Sequence, residues 1–225
     1  MSTTPIPAFV ENSVDPKVHG YLHTPESSNG NGLVLTHGAG SNAQAPLLVA
    51  LAETFCANGF AVLRCDLPYR QARSFGPPGP SDAARDRAGL RNAIAALSKI
   101  APGKIFLGGH SYGGRQSSML CAEDPEIVPA LLLLSYPLHP PRKPEQQRTQ
   151  HLPDLRTPTL FVHGTRDPFG TIAEVEQALK MIPAKTKLLI VDGAGHDLGF
   201  KGKSGNKNLI PTLLTAFQEL SPEQK

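Results

Sequence analysis

The stretch that most limits how this chain can fold is Ile105-Phe106-Leu107 followed by Gly109-His110-Ser111-Tyr112-Gly113. An apolar run of strand character leads into a serine with a glycine two residues to either side, and a helical pattern follows. That order fits a strand turned so sharply into a helix that only a hydrogen atom is tolerated at the flanking positions, which lifts the Ser111 hydroxyl above the sheet edge. Glycine fills 21 of the 225 positions, so the five residues alone carry little. Their place between a strand and a helix carries more.

The rest of the chain alternates in the same way. Val18 to Leu22, Leu33 to Thr36, Phe60 to Leu63, Ala130 to Leu134, Thr159 to Val162 and Leu188 to Val191 read as short strands, most of them apolar throughout as in a sheet buried on both faces. Helices are predicted from Pro46, with Leu47, Leu48, Leu51 and Phe55 on one face and Asn58-Gly59 as the stop, and from Ser81 through Leu90, Ile94, Leu97 and Ala101 to Pro102-Gly103. Further helices are expected from Ser111 to about Glu123, behind a Thr171/Glu174 capping box with Ile172, Val175, Leu179 and Ile182 inward, and from Leu209 to Leu220. Arg64 to Pro80, which ends in Gly76-Pro77-Pro78-Gly79-Pro80, reads as a loop beside the site. Pro137 to Pro158 is too rich in proline and polar residues for a helical lid. Crossovers long enough to hold a helix imply an α/β fold, a mostly parallel sheet with helices on both faces and little or no lid, in one domain over residues 1–225.

In such sheets the loops beyond the carboxyl ends of the strands build the site. Ser111 meets that condition. So do Asp167, in His163-Gly164-Thr165-Arg166-Asp167, and His196, in Gly193-Ala194-Gly195-His196. A serine hydroxyl attacks well only when a neutral imidazole takes its proton, and a carboxylate fixes the imidazole tautomer and stabilises the imidazolium. Asp66 and Asp192 also follow strands, but Asp66 belongs to an earlier strand and Asp192 is too near His196 in sequence to face it across the sheet. Backbone N–H groups that hold the developing oxyanion are expected from Tyr112 and from the His37 to Gly40 loop, at Ala39 or Gly40. His37 should brace that loop, and His19, His23, His110, His139 and His151 are assigned structural roles. Tyr136, Phe169 and Leu198, with His139 and Phe200, lie on strand-end loops and are candidates to line a pocket.

The net charge of +3, with no basic stretch interleaved with aromatics, argues against nucleic-acid binding. Three cysteines, Cys56, Cys65 and Cys121, have no metal-ligand spacing and read as reduced packing residues, so neither a metal nor an organic cofactor is expected. Met1 to Pro7 lacks the cationic head and apolar core of a secretion signal, and no apolar run approaches the ~18 residues of a membrane span, so a cytoplasmic, membrane-free protein is expected. Arg70, Arg73, Arg142, Lys143, Lys201, Lys203 and Lys207 all fall in loops on the side where the site opens. Converging there, they would form a positive rim for an anionic substrate.

Taken together, these residues resemble the α/β-hydrolase superfamily, from the His37-Gly38 turn through Ser111 and Asp167 to His196. Leu134-Ser135-Tyr136-Pro137-Leu138-His139-Pro140-Pro141, His151-Leu152-Pro153 and Gly164 to Thr171 are more narrowly similar to a branch of small hydrolases that includes the testis-expressed and NSL-complex-subunit proteins. That branch is distantly like dienelactone hydrolases, which use cysteine where this chain has Ser111. The resemblance implies a serine hydrolase with Ser111 as nucleophile, His196 as base and Asp167 as orienting acid, and it carries no substrate; a carboxylic ester or thioester is expected, small or protein-borne because no lid is expected. Two alternatives on the same fold are a protein-interaction module and an acyltransferase or lyase; the oligomeric state is left open.

Overall fold

Eight strands form one sheet in the computed structural model, which describes residues 6–200, 206 and 208–220. Met1 to Pro5 of the N-terminal stretch, and Lys201, Lys203 and Lys207 of the expected rim, lie outside the described residues. The strands are β1 (Ala8–Glu11), β2 (Val18–His23), β3 (Gly32–Thr36), β4 (Ala61–Asp66), β5 (Ile105–His110), β6 (Leu131–Leu134), β7 (Thr159–Gly164) and β8 (Thr186–Val191), in the spatial order β1-β2-β4-β3-β5-β6-β7-β8. β2 runs antiparallel to β1 and β4, and every other neighbouring pair is parallel. Among the described residues five α-helices lie between strands, α1 (Pro46–Ala57), α2 (Pro68–Ala72), α3 (Asp82–Ser98), α4 (Tyr112–Glu123) and α5 (Ile172–Leu179), and α6 (Leu209–Leu220) follows β8.

The period-two geometry of a strand divides the apolar residues between two cores. Leu33 and Leu35 of β3, with Leu132 and Leu134 of β6, face α1 and α6. Val34, Leu131 and Leu133 face α3, α4 and α5 on the other side. Because helices cover both faces, β6 has no solvent side, and all four of its residues are leucine. Each fully buried leucine contributes about 1.5–3 kcal/mol relative to exposure. Local signals set the helix ends. Pro46 opens α1 in its first turn, and Thr171 and Glu174 close a reciprocal capping box at the start of α5.

The structure departs from the expected elements at several places. β1 is not among the expected strands: it is a four-residue edge strand whose side chains alternate between exposed and half-buried, and its apolar run is only Ala8 to Val10. The span 64–80 is not all loop. β4 continues through Arg64 to Asp66, since the Arg64 guanidinium is taken up inside the fold by His23 Nε2 at 2.9 Å and by the Ala43 carbonyl, and α2 follows with Pro68, Tyr69 and Arg70 buried. Between β6 and β7 the expectation holds: only a single 3₁₀ turn, Leu152–Asp154, interrupts the connection, and no helical lid stands over this end of the sheet. Among the described residues no helix is long and apolar enough to cross a membrane.

Candidate active site

Ser111 sits between β5 and α4 with φ 51° and ψ −117°, a backbone conformation that L-residues rarely adopt. Two close approaches hold it there. A methyl group on Gly109 would lie 2.5 Å from the Gly114 nitrogen, and one on Gly113 would lie 2.5 Å from the His37 carbonyl oxygen, so glycine lets α4 press against the sheet end and against the loop after β3. The Ser111 N–H donates to the Leu134 carbonyl at 2.8 Å, which ties the turn to the end of β6.

The loops after β7 and β8 bring Asp167 and His196 to the same point. His196 Nδ1 lies 2.8 Å from Asp167 Oδ2 and 3.0 Å from Oδ1, and His196 Nε2 lies 2.7 Å from Ser111 Oγ. An ionised carboxylate only accepts, so the proton sits on Nδ1 and leaves Nε2 free to accept the Ser111 hydroxyl proton. Asp167 Oδ1 also accepts the Phe169 N–H at 2.9 Å. Burial pushes the Asp167 carboxyl up, but the hydrogen bond and charge of His196, with the Phe169 N–H, together hold it below the usual aspartate range. It stays a charged anchor although its side chain is fully buried.

Neighbours fix the imidazole further. The Phe169 ring stacks on His196 with centroids 4.2 Å apart, and His110 Nε2–H donates to the His196 carbonyl at 2.7 Å. Burial pushes His110 down to about 4, so that ring is neutral at physiological pH. The loop after β3 is braced from behind. His37 Nδ1–H donates to the Gly38 carbonyl at 2.9 Å and Nε2 accepts the Leu67 N–H at 3.1 Å, while burial holds His37 below its ordinary value. The Tyr69 hydroxyl donates to the Ala39 carbonyl at 2.9 Å.

A cavity of about 590 Å³ opens over Ser111. Tyr112 and Ala39 border it, and so do Pro77, Pro78 and Phe169, which puts the proline-glycine run beside the site. Tyr112 is the first residue of α4, where an N–H has no partner within the helix and can meet an oxyanion. Gly40 borders a second cavity of about 280 Å³ instead, together with His37, His110 and Phe200. Of the two loop positions, Ala39 is the one on the Ser111 cavity.

Other expected contacts lie elsewhere. Tyr136 is buried in the core, where its hydroxyl donates to the Arg148 carbonyl at 2.6 Å and its ring meets Phe161. Leu198 is packed into the apolar core on the α1 and α6 side. His139 is buried too, with Nδ1–H donating to the Pro140 carbonyl at 2.8 Å. Each follows a strand, but the turns aim these side chains inward: Ser135, just before Tyr136, has φ 49° and Leu198 has φ 52°. The expected rim is not assembled from Arg70 and Arg73. Arg70 is buried and donates to the carbonyls of Ser41, Ala39, Arg73 and Gly76, and Arg73 pairs with Asp82. Arg142 and Lys143 are exposed and away from the cavity wall.

Sequence reasoning passed over four side chains. Arg115, Gln116 and Arg148 border the Ser111 cavity. The spacing Ser111 to Arg115, one helical turn, was the available signal. Asp86, fully buried on α3, accepts the Tyr112 hydroxyl at 2.8 Å and the Tyr69 N–H at 3.0 Å, and burial raises its carboxyl above the usual range. Among the described residues no group of three His, Cys, Asp or Glu side chains is placed to hold a metal ion.

The family described as Alpha/beta hydrolase domain matches residues 29–219. A dienelactone hydrolase from Anabaena variabilis is similar in structure, with TM-score 0.75 and 24% identity over 97% of this chain and 99% of that one. A serine hydrolase without lid from Xanthomonas campestris has TM-score 0.73 and 16% identity over 100% of this chain and 99% of that one. These two likenesses concern the fold. One stretch of 48 residues, 21% of this chain, is 50% identical to part of the polyketide synthase ThaQ from Burkholderia thailandensis, and spans 2% of that protein.

Proposed function

The chain belongs to the Alpha/beta hydrolase domain family, and on that footing we propose that it is a serine hydrolase cleaving a carboxylic ester or thioester. One observation carries the reading: the hydrogen-bonded line Asp167, His196, Ser111, with separations of 2.8 and 2.7 Å, whose serine borders the cavity. His196 Nε2 removes the hydroxyl proton as Ser111 Oγ attacks the carbonyl carbon, and the Tyr112 and Ala39 N–H groups receive the oxyanion. Collapse breaks the bond to the alcohol or thiol, which leaves with the proton from His196, and an acyl-Ser111 remains. Water then attacks that ester with His196 again as base, and the acid is released. Asp167 stays ionised throughout and stabilises the imidazolium.

The narrower resemblance to the testis-expressed and NSL-complex-subunit branch belongs to this proposal, supported by Leu134 to Pro141 and Gly164 to Thr171. The fold likeness to a dienelactone hydrolase carries no substrate across. An open cavity without a helical lid favours small or protein-borne esters over long buried acyl chains. A cytoplasmic setting completes the reading, supported by three free cysteines. Labelling with a fluorophosphonate serine probe is the test. Wild type is expected to label, and Ser111→Ala and His196→Ala are expected not to. A folded wild type that stays unlabelled would refute the hydrolase and leave the interaction module.

A further inference from the structure

The other arginines of this protein are either paired or spent on carbonyls, or, as with Arg142, Arg156 and Arg166, exposed to water. Arg85 meets Asp15, Arg87 meets Glu123, Arg91 meets Asp124 and Arg73 meets Asp82. Arg64 and Arg70 are taken up by backbone oxygens. Arg115 and Arg148 differ. Both border the Ser111 cavity, and neither has a carboxylate within ion-pair distance among the described residues. Arg115 Nε is buried with no hydrogen-bond partner. The guanidinium of Arg148 has one long bond, Nη1–H to the Pro137 carbonyl at 3.3 Å.

A third group points the same way. Gln116 is wholly buried and borders the cavity; its oxygen accepts Arg87 Nη1–H at 3.0 Å, while its amide nitrogen has no partner. A buried donor left unpaired costs about 1–3 kcal/mol, and two such donors, on adjacent side chains that border the cavity, favour an acceptor that arrives from outside. Burial also lowers the Arg148 guanidinium from its ordinary value, and the like charge of Arg115 acts in the same direction. An anion between the two would relieve both effects.

We propose that Arg115, Arg148 and the Gln116 amide form a subsite for a carboxylate, so that the substrate is an ester or thioester carrying a second, ionised carboxyl group. Guanidinium forks match the planar carboxylate. Arg115 lies four residues after Ser111 along the chain, roughly 6 Å by helical rise, so a short spacer joins the reacting carbonyl to the charge. Pro77, Pro78, Met119 and Phe169 supply apolar wall for that spacer. The inference rests on the serine hydrolase reading for its chemistry, while the subsite can be tested without turnover.

Two measurements decide it. The first is calorimetric titration of the Ser111→Ala protein with adipate at low salt, repeated after adding Arg115→Gln or Arg148→Gln, with inorganic phosphate as a second probe. Adipate is expected to bind, and each arginine substitution to weaken it roughly ten- to hundredfold. The second compares wild-type kcat/KM for mono-p-nitrophenyl adipate and for its methyl ester, which differ only in charge, and for 4-acetoxybenzoate and its methyl ester, which place the charge on the leaving group. A preference for the anion in either pair, falling with salt and approaching unity in the arginine variants, supports the subsite. The exposed Arg156→Gln should keep the ratio. The wild-type comparison needs no variant, so it stands even if Arg115→Gln fails to fold. No adipate binding, binding unchanged by the substitutions, or binding of phosphate alone overturns the subsite. If the fluorophosphonate labels Ser111 in that case, the hydrolase survives without it. If labelling fails while adipate binding depends on both arginines, the subsite stands and the hydrolase falls.

Discussion

Asp167→Asn tests the proposed proton path with the least disturbance of shape. In the wild type Asp167 Oδ1 takes the Phe169 N–H at 2.9 Å, and Oδ2 is the nearer oxygen to His196 Nδ1, at 2.8 Å. The Phe169 donor will claim the asparagine oxygen, which turns the amide NH2 toward His196. Two N–H groups cannot face each other at that distance, so the imidazole moves its proton from Nδ1 to Nε2. Nε2–H then points at Ser111 Oγ and can no longer accept its proton. The expected fall in kcat is about 10⁴-fold, equivalent to about 5.5 kcal/mol of barrier. Fluorophosphonate labelling and hydrolysis of p-nitrophenyl acetate should slow together, and ¹⁵N shifts of His196 should report the tautomer change. The fold should survive, because volume and the Phe169 bond are kept. Asp192→Asn is the control, since Asp192 is exposed and accepts only from Thr165 Oγ1 at 3.3 Å in this network. Activity of Asp167→Asn within tenfold of wild type, or a larger loss in Asp192→Asn, would refute the assignment.

Gly109→Ala would set its methyl 2.5 Å from the Gly114 nitrogen and 2.6 Å from the Gly113 carbonyl carbon, backbone atoms that cannot swing aside. A loss of about 1–3 kcal/mol is expected, seen as a thermal midpoint several degrees lower, whereas Gly40→Ala meets no atom within 4 Å and should melt as wild type does. Asp86→Ala strands the Tyr112 hydroxyl and the Tyr69 N–H and should lower stability by about 2–4 kcal/mol in chemical denaturation; a change below 1 kcal/mol would mean that water replaces the carboxylate. His23 and His110 are both lowered to about 4, largely by burial, from 6.5 in the unfolded chain. Above pH 6.5 they are neutral in both states; between 6.5 and 4 the unfolded chain binds protons that the folded one refuses. Stability is therefore complete at neutral pH and declines on acidification, by on the order of 1–3 kcal/mol per histidine at pH 4, and urea midpoints equal at pH 7.5 and 4.5 would contradict this. Phe169→Ala removes the ring stacked on His196 and part of the cavity wall, and should raise KM and lower kcat for p-nitrophenyl acetate together, each severalfold; an unchanged kcat would show that the ring serves binding alone.

The sheet was legible in the sequence because burial on both faces writes itself as unbroken apolar runs, such as Leu131 to Leu134. Where a strand carries a charge, the signal stops early: Arg64 sits inside β4 only because His23 and the Ala43 carbonyl receive it, partners 41 and 21 residues away that no local pattern reveals. Ser111, Asp167 and His196 could be placed by a topological rule, since each must follow a strand. Pocket walls obey no such rule. Tyr136 and Leu198 satisfy the strand-end condition and still point into the core, because positive φ at Ser135 and at Leu198 redirects the chain. Arg115 reads as one more polar residue on a helix until the loop carrying Arg148 is folded beside it.

At Ser111, with φ 51°, stability and chemistry are set against each other. A residue with a Cβ in that conformation costs of order 1–3 kcal/mol, while glycine would be at ease there. Ser111→Gly would relieve that strain and remove the hydroxyl on which the proposed chemistry depends, so a higher thermal midpoint and the loss of fluorophosphonate labelling should come together in one variant.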